Sequence, residues 1–249
     1  MLSVNRYAIR LVKKLCEEAE GYGVNVKETG SGATLIDAGI RAKGGFLAGK
    51  IVTEICLGGF GKAEILCAPY GDWVLPSIFV YTDHPAVATL GSQLAGWSIK
   101  VEDYFAMGSG PARALALRPK ELYEKIGYRD DAEEAVLLLE TSKEPPEEVI
   151  TYISNQCSVK PDDLFLILAP TSSTTGSTQI SGRVVEQGTY RLMELGLDPR
   201  LMIHGWGYAP IAPVHPKFTE AMGGPTTPYY TLEWLDTPLT TMTMKPLRG

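Results

Sequence analysis

Apolar residues recur at helical or strand spacing through most of the chain. Apolar positions three and four apart predict a first helix from about Val4 to Ala19, which Gly21 and Gly23 would end. Two short alternating runs, VNVKE and ATLIDAG, predict a hairpin that turns at residues 29–32. A second helix is predicted from Leu47 to Cys56, so the first part of the chain mixes helices with paired strands.

The middle of the chain predicts two further strands and two helix starts. The runs AEILCA and VLPSIFVYT predict strands, and Pro76 places the second at a sheet edge or bulge because proline has no N–H to donate. An alanine-rich segment that begins at Pro85 predicts a helix with Asp83 as its N-cap. The run Gly108–Pro111 then precedes another helix, and residues 119–128 are also helical in pattern.

The most regular pattern is a strand, a helix and a strand in the second half of the chain. EEAVLLLE predicts a strand, PPEEVITYISNQC a helix that begins at its prolines, and DLFLILAP an almost wholly apolar strand. Strands of this buried type joined by a helix are typical of a parallel βαβ unit. A long helix is then predicted from about Gln179 to Leu195.

These elements predict an α+β (mixed α/β) chain in two parts, with a boundary near Pro119–Glu133. Residues 1–118 form an α/β part with the hairpin and the glycine loop, and residues 119–223 form the βαβ part. Residues 224–249 differ, because their 26 positions hold four prolines and seven threonines without helical or strand periodicity. We expect this atypical tail to be poorly ordered and to contribute little to a packed core.

Charge and hydropathy exclude several classes of protein. The 249 residues include 23 Lys and Arg against 29 Asp and Glu, a net charge of −6, which argues against binding to phosphate-rich nucleic acid. No apolar run reaches the roughly 18 residues of a membrane span, and acidic residues in the first helix are unlike a secretory signal. We expect a cytoplasmic protein without nucleic-acid or membrane partners.

The cysteines and histidines do not form a recognisable metal motif. Cys16, Cys56, Cys67 and Cys157 lie far apart and include no C-x-x-C pair, which favours reduced, packed thiols. The three histidines match neither H-E-x-x-H nor the zinc deaminase pattern. Metal-assisted hydrolysis is therefore not expected, although a site assembled from distant residues stays open.

A glycine loop is the first candidate for ligand binding. Gly108, Ser109 and Gly110 precede a predicted helix, and Arg113 falls in its first turn. Backbone N–H groups at a helix start attract anions, so these residues are candidates for binding a phosphate or carboxylate. A tight turn without a ligand explains the same residues.

A hydroxyl-rich loop, residues 171–178, is the second candidate. It follows the apolar strand, and ligands of α/β folds bind at the carboxyl ends of strands. Thr171 and Ser177 are candidates for binding a phosphate or a heterocycle, whereas helix capping is the structural alternative. The loop is not a P-loop, because the required spacing and lysine are missing.

Gln179, Arg183 and Glu186 form the third candidate, because their spacing places them on one helix face. Arg183 would keep the Glu186 carboxylate ionised, which suits a base that activates water. A surface ion pair is the alternative. Asp83 and His84 are a further candidate, for which helix capping and packing are the structural explanations.

Several stretches together resemble the methenyltetrahydromethanopterin cyclohydrolases. They are MLSVN, TDHPAVATLGSQLAGW, DYFAMGSGPARALALRPKELYE, APTSSTTGSTQISGRVVE, and GYAPIAP followed by EAMG, spread over residues 1–223. The resemblance implies a cytoplasmic enzyme of one-carbon metabolism that reversibly hydrolyses the 5,10-methenyl derivative of tetrahydromethanopterin to the N5-formyl derivative. It further implies a homotrimer, a pterin cleft between two parts of the subunit, and no metal or redox cofactor.

The resemblance also implies roles for individual residues. Glu186 would be the general base that activates water and returns the proton to N10, and Arg183 would orient it and hold down its pKa. The phosphate-containing tail of the pterin carrier would give the glycine loop and Arg113 an anion to bind. The implied substrate-binding residues are Asp83, His84, Gly108, Ser109, Gly110, Arg113, Thr171, Ser177 and Gln179.

The chain departs from the family pattern after Gly223. There the family continues with R-T-N-D and a longer chain, whereas this sequence continues with GPTTPYYTLEWLDTPLTTMTMKPLRG. We hypothesise that a frame change in the coding sequence replaced the C-terminal part, the alternative being a naturally shortened, divergent tail. The functional alternative is a pterin- or phosphate-binding fragment with impaired catalysis.

Overall fold

The computed structural model describes residues 2–214 and the backbone of residues 240–244. The helices are α1 Val4–Glu17, α2 Ala19–Tyr22, α3 Phe46–Cys56, α4 Ala112–Ala116, α5 Lys120–Ile126, α6 Glu147–Cys157, α7 Thr174–Ser181 and α8 Val184–Glu194. A π-helix spans Ala86–Gln93, and short 3₁₀ turns span Pro161–Asp163 and Pro199–Leu201. The strands are β1 Asn25–Glu28, β2 Thr34–Asp37, β3 Gly61–Tyr70, β4 Trp73–Thr82, β5 Trp97–Val101, β6 Tyr104–Ser109, β7 Ala135–Glu140, β8 Leu164–Leu168, β9 Met202–Pro210 and β10 Thr240–Met244.

The strands form two sheets, which confirms the α+β class. A six-stranded mixed sheet has the order β1-β2-β8-β7-β6-β5, and a four-stranded antiparallel sheet has the order β10-β9-β4-β3. The predicted hairpin is β1 with β2, and the predicted βαβ unit is β7, α6 and β8, with β7 and β8 parallel. The carboxyl ends of β2, β8 and β7 therefore lie at one edge of the larger sheet.

Both faces of the six-stranded sheet are covered, which explains the continuous apolar runs of its central strands. Alternate residues of β7 point in opposite directions: Leu137 and Leu139 pack with α4 and α6, whereas Val136 and Leu138 pack with α1 and α3. These four side chains are fully or almost fully buried. The central strands thus hold two separate apolar layers in place.

The N-terminal helix shows how local signals set the bounds of an element. The Ser3 hydroxyl caps α1 by accepting a hydrogen bond from the Arg6 N–H at 3.1 Å, and the apolar stripe of the helix is buried against the sheet. The predicted single helix to Ala19 instead ends at Glu17, and α2 continues to Gly23, whose left-handed φ of 66° closes it.

The four-stranded sheet packs one face on α8 and on the end of α3. Ile78 and Val80 of β4 are fully buried there against Val184 and Val185 of α8. The prediction that Pro76 lies at a sheet edge is wrong, because β4 lies between β3 and β9. Proline is tolerated because the registered pairing with β9 begins one residue later, and its carbonyl still accepts from the Ile211 N–H at 2.8 Å.

The predicted long helix from Gln179 to Leu195 is two helices. Ser173 caps α7 through the Gly176 N–H, so the hydroxyl-rich loop itself is largely helical. The break falls at Gly182, where an added Cβ would lie 2.6 Å from Thr53 Cγ2 of α3. Gly182 thus allows α3 to approach closely at the break, and Arg183 becomes the residue before α8 instead of lying inside the predicted helix.

The predicted boundary between residues 1–118 and 119–223 does not divide the sheets. Each sheet takes strands from both sides of it, because β7, β8 and β9 pair with strands from the first part. In the tail, a strand at Thr240–Met244 pairs with β9, although the sequence there has no strand periodicity. His215, the EAMG stretch and the remainder of residues 224–249 lie outside the described residues. The frame-change hypothesis therefore stays a prediction.

Candidate active site

Arg183 lies at the centre of a buried polar cluster beside the carboxyl end of β7. Its side chain is 6% exposed. Nη2 donates to Glu140 Oε1 at 2.9 Å, to Ser109 Oγ at 2.9 Å and to Gln179 Oε1 at 3.3 Å. Nη1 donates to the carbonyl oxygen of Gln93 at 3.2 Å. Partners from four different elements therefore fix the plane of the guanidinium.

Glu186 lies in the first turn of α8, next to this cluster. Its side chain is 7% exposed, and Oε2 lies 3.9 Å from Arg183 Nη1, which is beyond hydrogen-bond distance. Burial raises the pKa of Glu186, while Arg183 and Arg113 oppose this shift and Glu140 adds to it. Arg183 therefore lowers the Glu186 pKa as expected, but the net shift is upward, because desolvation of the carboxylate outweighs its attraction to the arginines.

Glu140 is a site residue that the sequence did not single out. It is the last residue of β7, and its side chain is 20% exposed. Its Oε1 accepts hydrogen bonds from both Arg183 Nη2 and Gln179 Nε2, at 2.9 and 3.2 Å. Its position at the carboxyl end of a parallel strand is the signal that would have pointed to it.

The glycine loop contributes one side chain to the cluster. Ser109 accepts from Arg183 and donates to Cys56 Sγ at 3.8 Å, and burial raises the pKa of the Cys56 thiol to about 11. Gly110 has φ 108° and donates its N–H to the carbonyl oxygen of Ser92. Gly108 is buried within β6 opposite Trp97. The two glycines therefore shape the turn that presents Ser109.

Arg113 does not reach a surface where it could bind an anion. Its side chain is fully buried, and it donates to the carbonyl oxygens of Arg118, Leu90 and Ser92 at 2.9 to 3.3 Å. The predicted contact with a phosphate or carboxylate ligand is therefore wrong in this structure. Helix α4 has only five residues, and its arginine turns inward to main-chain acceptors.

The end of the π-helix links the two arginines. Its last carbonyl groups accept hydrogen bonds from Arg113, from the Tyr123 hydroxyl and, at Gln93, from Arg183. The Gln93 side chain in turn donates to the carbonyl oxygen of Gly182 at 3.0 Å. Carbonyl groups at a helix end carry partial negative charge, so the two guanidinium groups stabilise this terminus and are held by it.

The remaining predicted residues do not bond to Arg183. Ser177 donates to the carbonyl oxygen of Ala212 at 2.6 Å, and Thr171 is buried in the loop before α7. Asp83 does not cap the π-helix; its Oδ1 lies 2.7 Å from His204 Nδ1. The His84 ring packs edge-on against Phe60, with centroids 5.4 Å apart.

Asp83 and His204 border a cavity of about 500 Å³ on the outer face of the four-stranded sheet, lined also by Phe79, Tyr81 and Trp206. The described residues show no hydrogen bond or ion pair between this group and the Arg183 cluster. In the same part of the chain, no three His, Cys, Asp or Glu side chains are grouped to hold a metal ion. No described helix has both the length and the hydropathy of a membrane span.

Comparisons with known proteins agree on one family. The model of the family "Cyclohydrolase (MCH)" matches residues 3–228. The methenyltetrahydromethanopterin cyclohydrolase of Methanocaldococcus jannaschii is 50% identical over 217 residues, which cover 86% of this chain and 67% of the relative. The enzymes of the same name from Methanothermobacter marburgensis and Methanococcoides burtonii are 47% and 44% identical, each covering 90% of this chain and 71% and 70% of the relative. The chain therefore belongs to the cyclohydrolase (MCH) family.

Proposed function

We propose that this chain catalyses the reversible hydrolysis of 5,10-methenyltetrahydromethanopterin to N5-formyltetrahydromethanopterin. Relatives of this name share about half of the residues over most of the chain. The observation that carries the mechanism is the pairing of Arg183 with a buried carboxyl group, Glu186, one helical turn away. The substrate class is a small pterin whose methenyl carbon bridges two nitrogens as a cation.

Glu186 is the proposed general base. The methenyl carbon is already electrophilic, so hydrolysis needs a positioned water that loses a proton as it attacks. Burial raises the pKa of Glu186 and makes its carboxylate a stronger proton acceptor than an exposed one. A carboxyl pKa closer to the working pH also suits a group that must later release the same proton.

Each proton and bond of this reaction is accounted for. As the C–O bond forms, the water O–H bond breaks and its proton moves to a Glu186 oxygen. The bond from the former methenyl carbon to N10 then breaks, its electron pair stays on N10, and Glu186 returns the proton there. As the formyl C=O forms on N5, the remaining O–H bond of the adduct breaks and this second water proton leaves to solvent, so the cationic substrate gives a neutral product and one released proton. The Glu186 carboxyl group therefore acts first as a base and then as an acid, and it ends each turnover in the ionised form in which it began.

Arg183 is proposed to orient Glu186 and the reacting water. Its four hydrogen-bond partners hold the guanidinium in one plane, and its Nε has no acceptor among the described residues. Ser109 and Gln179, which touch Arg183, are proposed as substrate-side residues of the same cluster. Contacts from Asp83, His84, Gly108, Gly110, Thr171 and Ser177 to the pterin remain predictions.

Three further features belong to the proposal. The cationic substrate needs neither a Lewis acid nor a redox partner, so we expect activity without a metal or an added cofactor. We expect a homotrimer, as the resemblance implies, which light scattering of the purified protein would test. A cytoplasmic location completes the proposal, and cell fractionation would test it.

The decisive experiment follows the absorbance of the methenyl substrate after addition of purified protein treated with a chelator. We expect loss of the methenyl absorbance with wild-type protein, and a rate about 10²–10⁴-fold lower for Glu186→Gln. Glu194→Gln, which changes an exposed residue of the same helix, is the matched control and should keep full activity.

Two results would contradict the proposal. A folded wild-type chain that is stabilised by the substrate but does not convert it would be a binding protein. A fully active Glu186→Gln variant would remove Glu186 from the catalytic role.

A further inference from the structure

The carboxylate that lies closest to Arg183 belongs to Glu140, not to Glu186. Glu140 Oε1 lies 2.9 Å from Arg183 Nη2, whereas Glu186 Oε2 lies 3.9 Å from Nη1. A hydrogen-bonded ion pair therefore joins Arg183 to the sheet, and the contact with the neighbouring helix residue is looser. Two carboxylates thus compete for one guanidinium, and the sheet residue has the closer contact.

The backbone fixes Glu140 more firmly than a loop would. It pairs in register with Met107 of β6, and the adjacent Leu139 pairs with Leu168 of β8. The Gln179 amide donates to the same Oε1 that Arg183 uses, so the carboxylate has two donors in fixed directions. Arg183 is consequently drawn towards the sheet from its position at the break before α8.

The charges around Glu186 show what this ion pair does. The groups that act on it are Arg183, Arg113 from α4 and Glu140 from β7. Without Glu140, two buried arginines would face one carboxylate and leave an excess of positive charge. That excess would draw Arg183 towards Glu186 and would oppose the approach of a cationic pterin.

We propose that Glu140 is a positioning residue for this reaction: it holds Arg183 against the sheet and thereby leaves the buried Glu186 carboxylate free of a short ion pair, so that it can accept a proton from the reacting water. This inference rests on the proposed cyclohydrolase function. Glu140 acts through Arg183 and Gln179 and is assigned no contact with the reacting atoms. Its negative charge also adds to the upward shift of the Glu186 pKa, which supports the geometric argument.

The test compares the pH dependence of the Glu140→Gln variant with that of the wild type. Glutamine keeps the size of the side chain but removes the charge, so Arg183 should be free to pair with Glu186. We expect kcat/KM to fall about tenfold or more and the acidic limb of the pH profile to move to lower pH by about one unit. The limb moves to lower pH because loss of the negative charge of Glu140 lowers the pKa of the neighbouring Glu186 carboxyl group.

Two further variants separate positioning from a structural role. Glu140→Asp retains the charge, so its acidic limb should stay within a few tenths of a unit of wild type even where kcat falls. Glu144→Gln removes a partly exposed carboxylate that pairs with Lys27 and should leave both the rate and the acidic limb of the pH profile unchanged. If Glu140→Gln does not fold, the Glu140→Asp variant decides the test. A shift of its acidic limb by about one pH unit would overturn the proposal, because the charge is still present.

A direct titration keeps this inference separate from the proposed function. Carbon-13 NMR of labelled glutamate, with the Glu186 signal assigned by its loss in Glu186→Gln, reports the carboxyl pKa without substrate. A lower Glu186 pKa in Glu140→Gln supports the coupling even for a chain that turns nothing over, in which case the proposed function alone fails. An unchanged Glu186 pKa, or an unchanged rate and limb in an active enzyme, overturns the role of Glu140.

Discussion

Arg183 and Glu186 lie three residues apart, yet the closest approach of their charged groups is 3.9 Å, beyond hydrogen-bond distance. The separation arises because Arg183 precedes α8 and donates its short hydrogen bonds to groups of other elements, among them Glu140. Glu186 is therefore a buried carboxyl group whose desolvation is only partly compensated.

The first prediction concerns the pH dependence of stability. Burial raises the pKa of Glu186, so the folded protein binds more protons than the unfolded chain between the two pKa values. The contribution of Glu186 is fully present below the unfolded carboxyl pKa of about 4.3 and is lost as the pH rises through the folded pKa.

We expect Glu186→Gln, which cannot ionise, to be at least as stable as wild type at about pH 8. At about pH 4 the free energies of unfolding of the two proteins should differ less. Urea unfolding at both pH values provides the measurement. A variant that loses more stability at the higher pH would show that the ionised carboxylate is stabilising in the folded state.

The second prediction concerns Arg183→Lys. A lysine is a point charge that cannot meet the Glu140, Ser109 and Gln93 acceptors together, so buried acceptors lose their donor. We expect a loss of about 1–3 kcal/mol in the free energy of unfolding and a lower kcat. Arg191→Lys, at an exposed position of α8, is the control and should change neither quantity. Equal stability of the two variants would contradict the role of the buried network.

The third prediction assigns Arg113 a structural role. Arg113→Lys leaves main-chain carbonyl groups of the π-helix end without their donors, so we expect destabilisation by at least about 2 kcal/mol. Arg10→Lys at the surface of α1 should be neutral. Thermal melting gives the stabilities. A stable Arg113→Lys variant whose KM rises only for substrate with an intact phosphate tail would instead restore the anion-binding interpretation.

The fourth prediction tests the break between α7 and α8. An added Cβ at Gly182 would lie 2.6 Å from Thr53 Cγ2 and 2.7 Å from its Oγ1, so Gly182→Ala should cost about 1–3 kcal/mol. Thr53→Ala removes both atoms, and the double variant should be more stable than the sum of the single changes predicts. Gly21→Ala, where an added Cβ has open space, is the control. Additive effects at Gly182 and Thr53 would exclude a direct clash.

Elements with a strong local pattern could be predicted from the sequence. The apolar stripe of α1, the β1–β2 hairpin and the β7–α6–β8 unit follow from side-chain periodicity and turn residues that act within a few positions. Helix interruptions could not be predicted in this way. The break falls at Gly182, whose closest side-chain neighbour is Thr53, a residue distant in the sequence and close only after α3 packs on α7.

The candidate site was predictable to a similar extent. Spacing and family resemblance identified Arg183 and Glu186, because both lie in one short motif. The same spacing suggested that Arg183 lies beside Glu186 and keeps it ionised; the two groups do pair, at 3.9 Å, but the net shift of the Glu186 pKa is upward. Pair geometry and desolvation depend on Glu140 and on the surrounding core, which adjacent residues do not specify.

The amino-acid sequence by itself thus determined the α+β class, the family and the two residues at the centre of the proposed chemistry. Only the tertiary structure decided that Arg113 is an internal donor, that Glu140 is the close partner of Arg183, and that Glu186 is buried with a raised pKa. The physical reason is that periodicity and motifs act over a few residues. Burial and ion pairing, in contrast, depend on which distant segments the two sheets bring together.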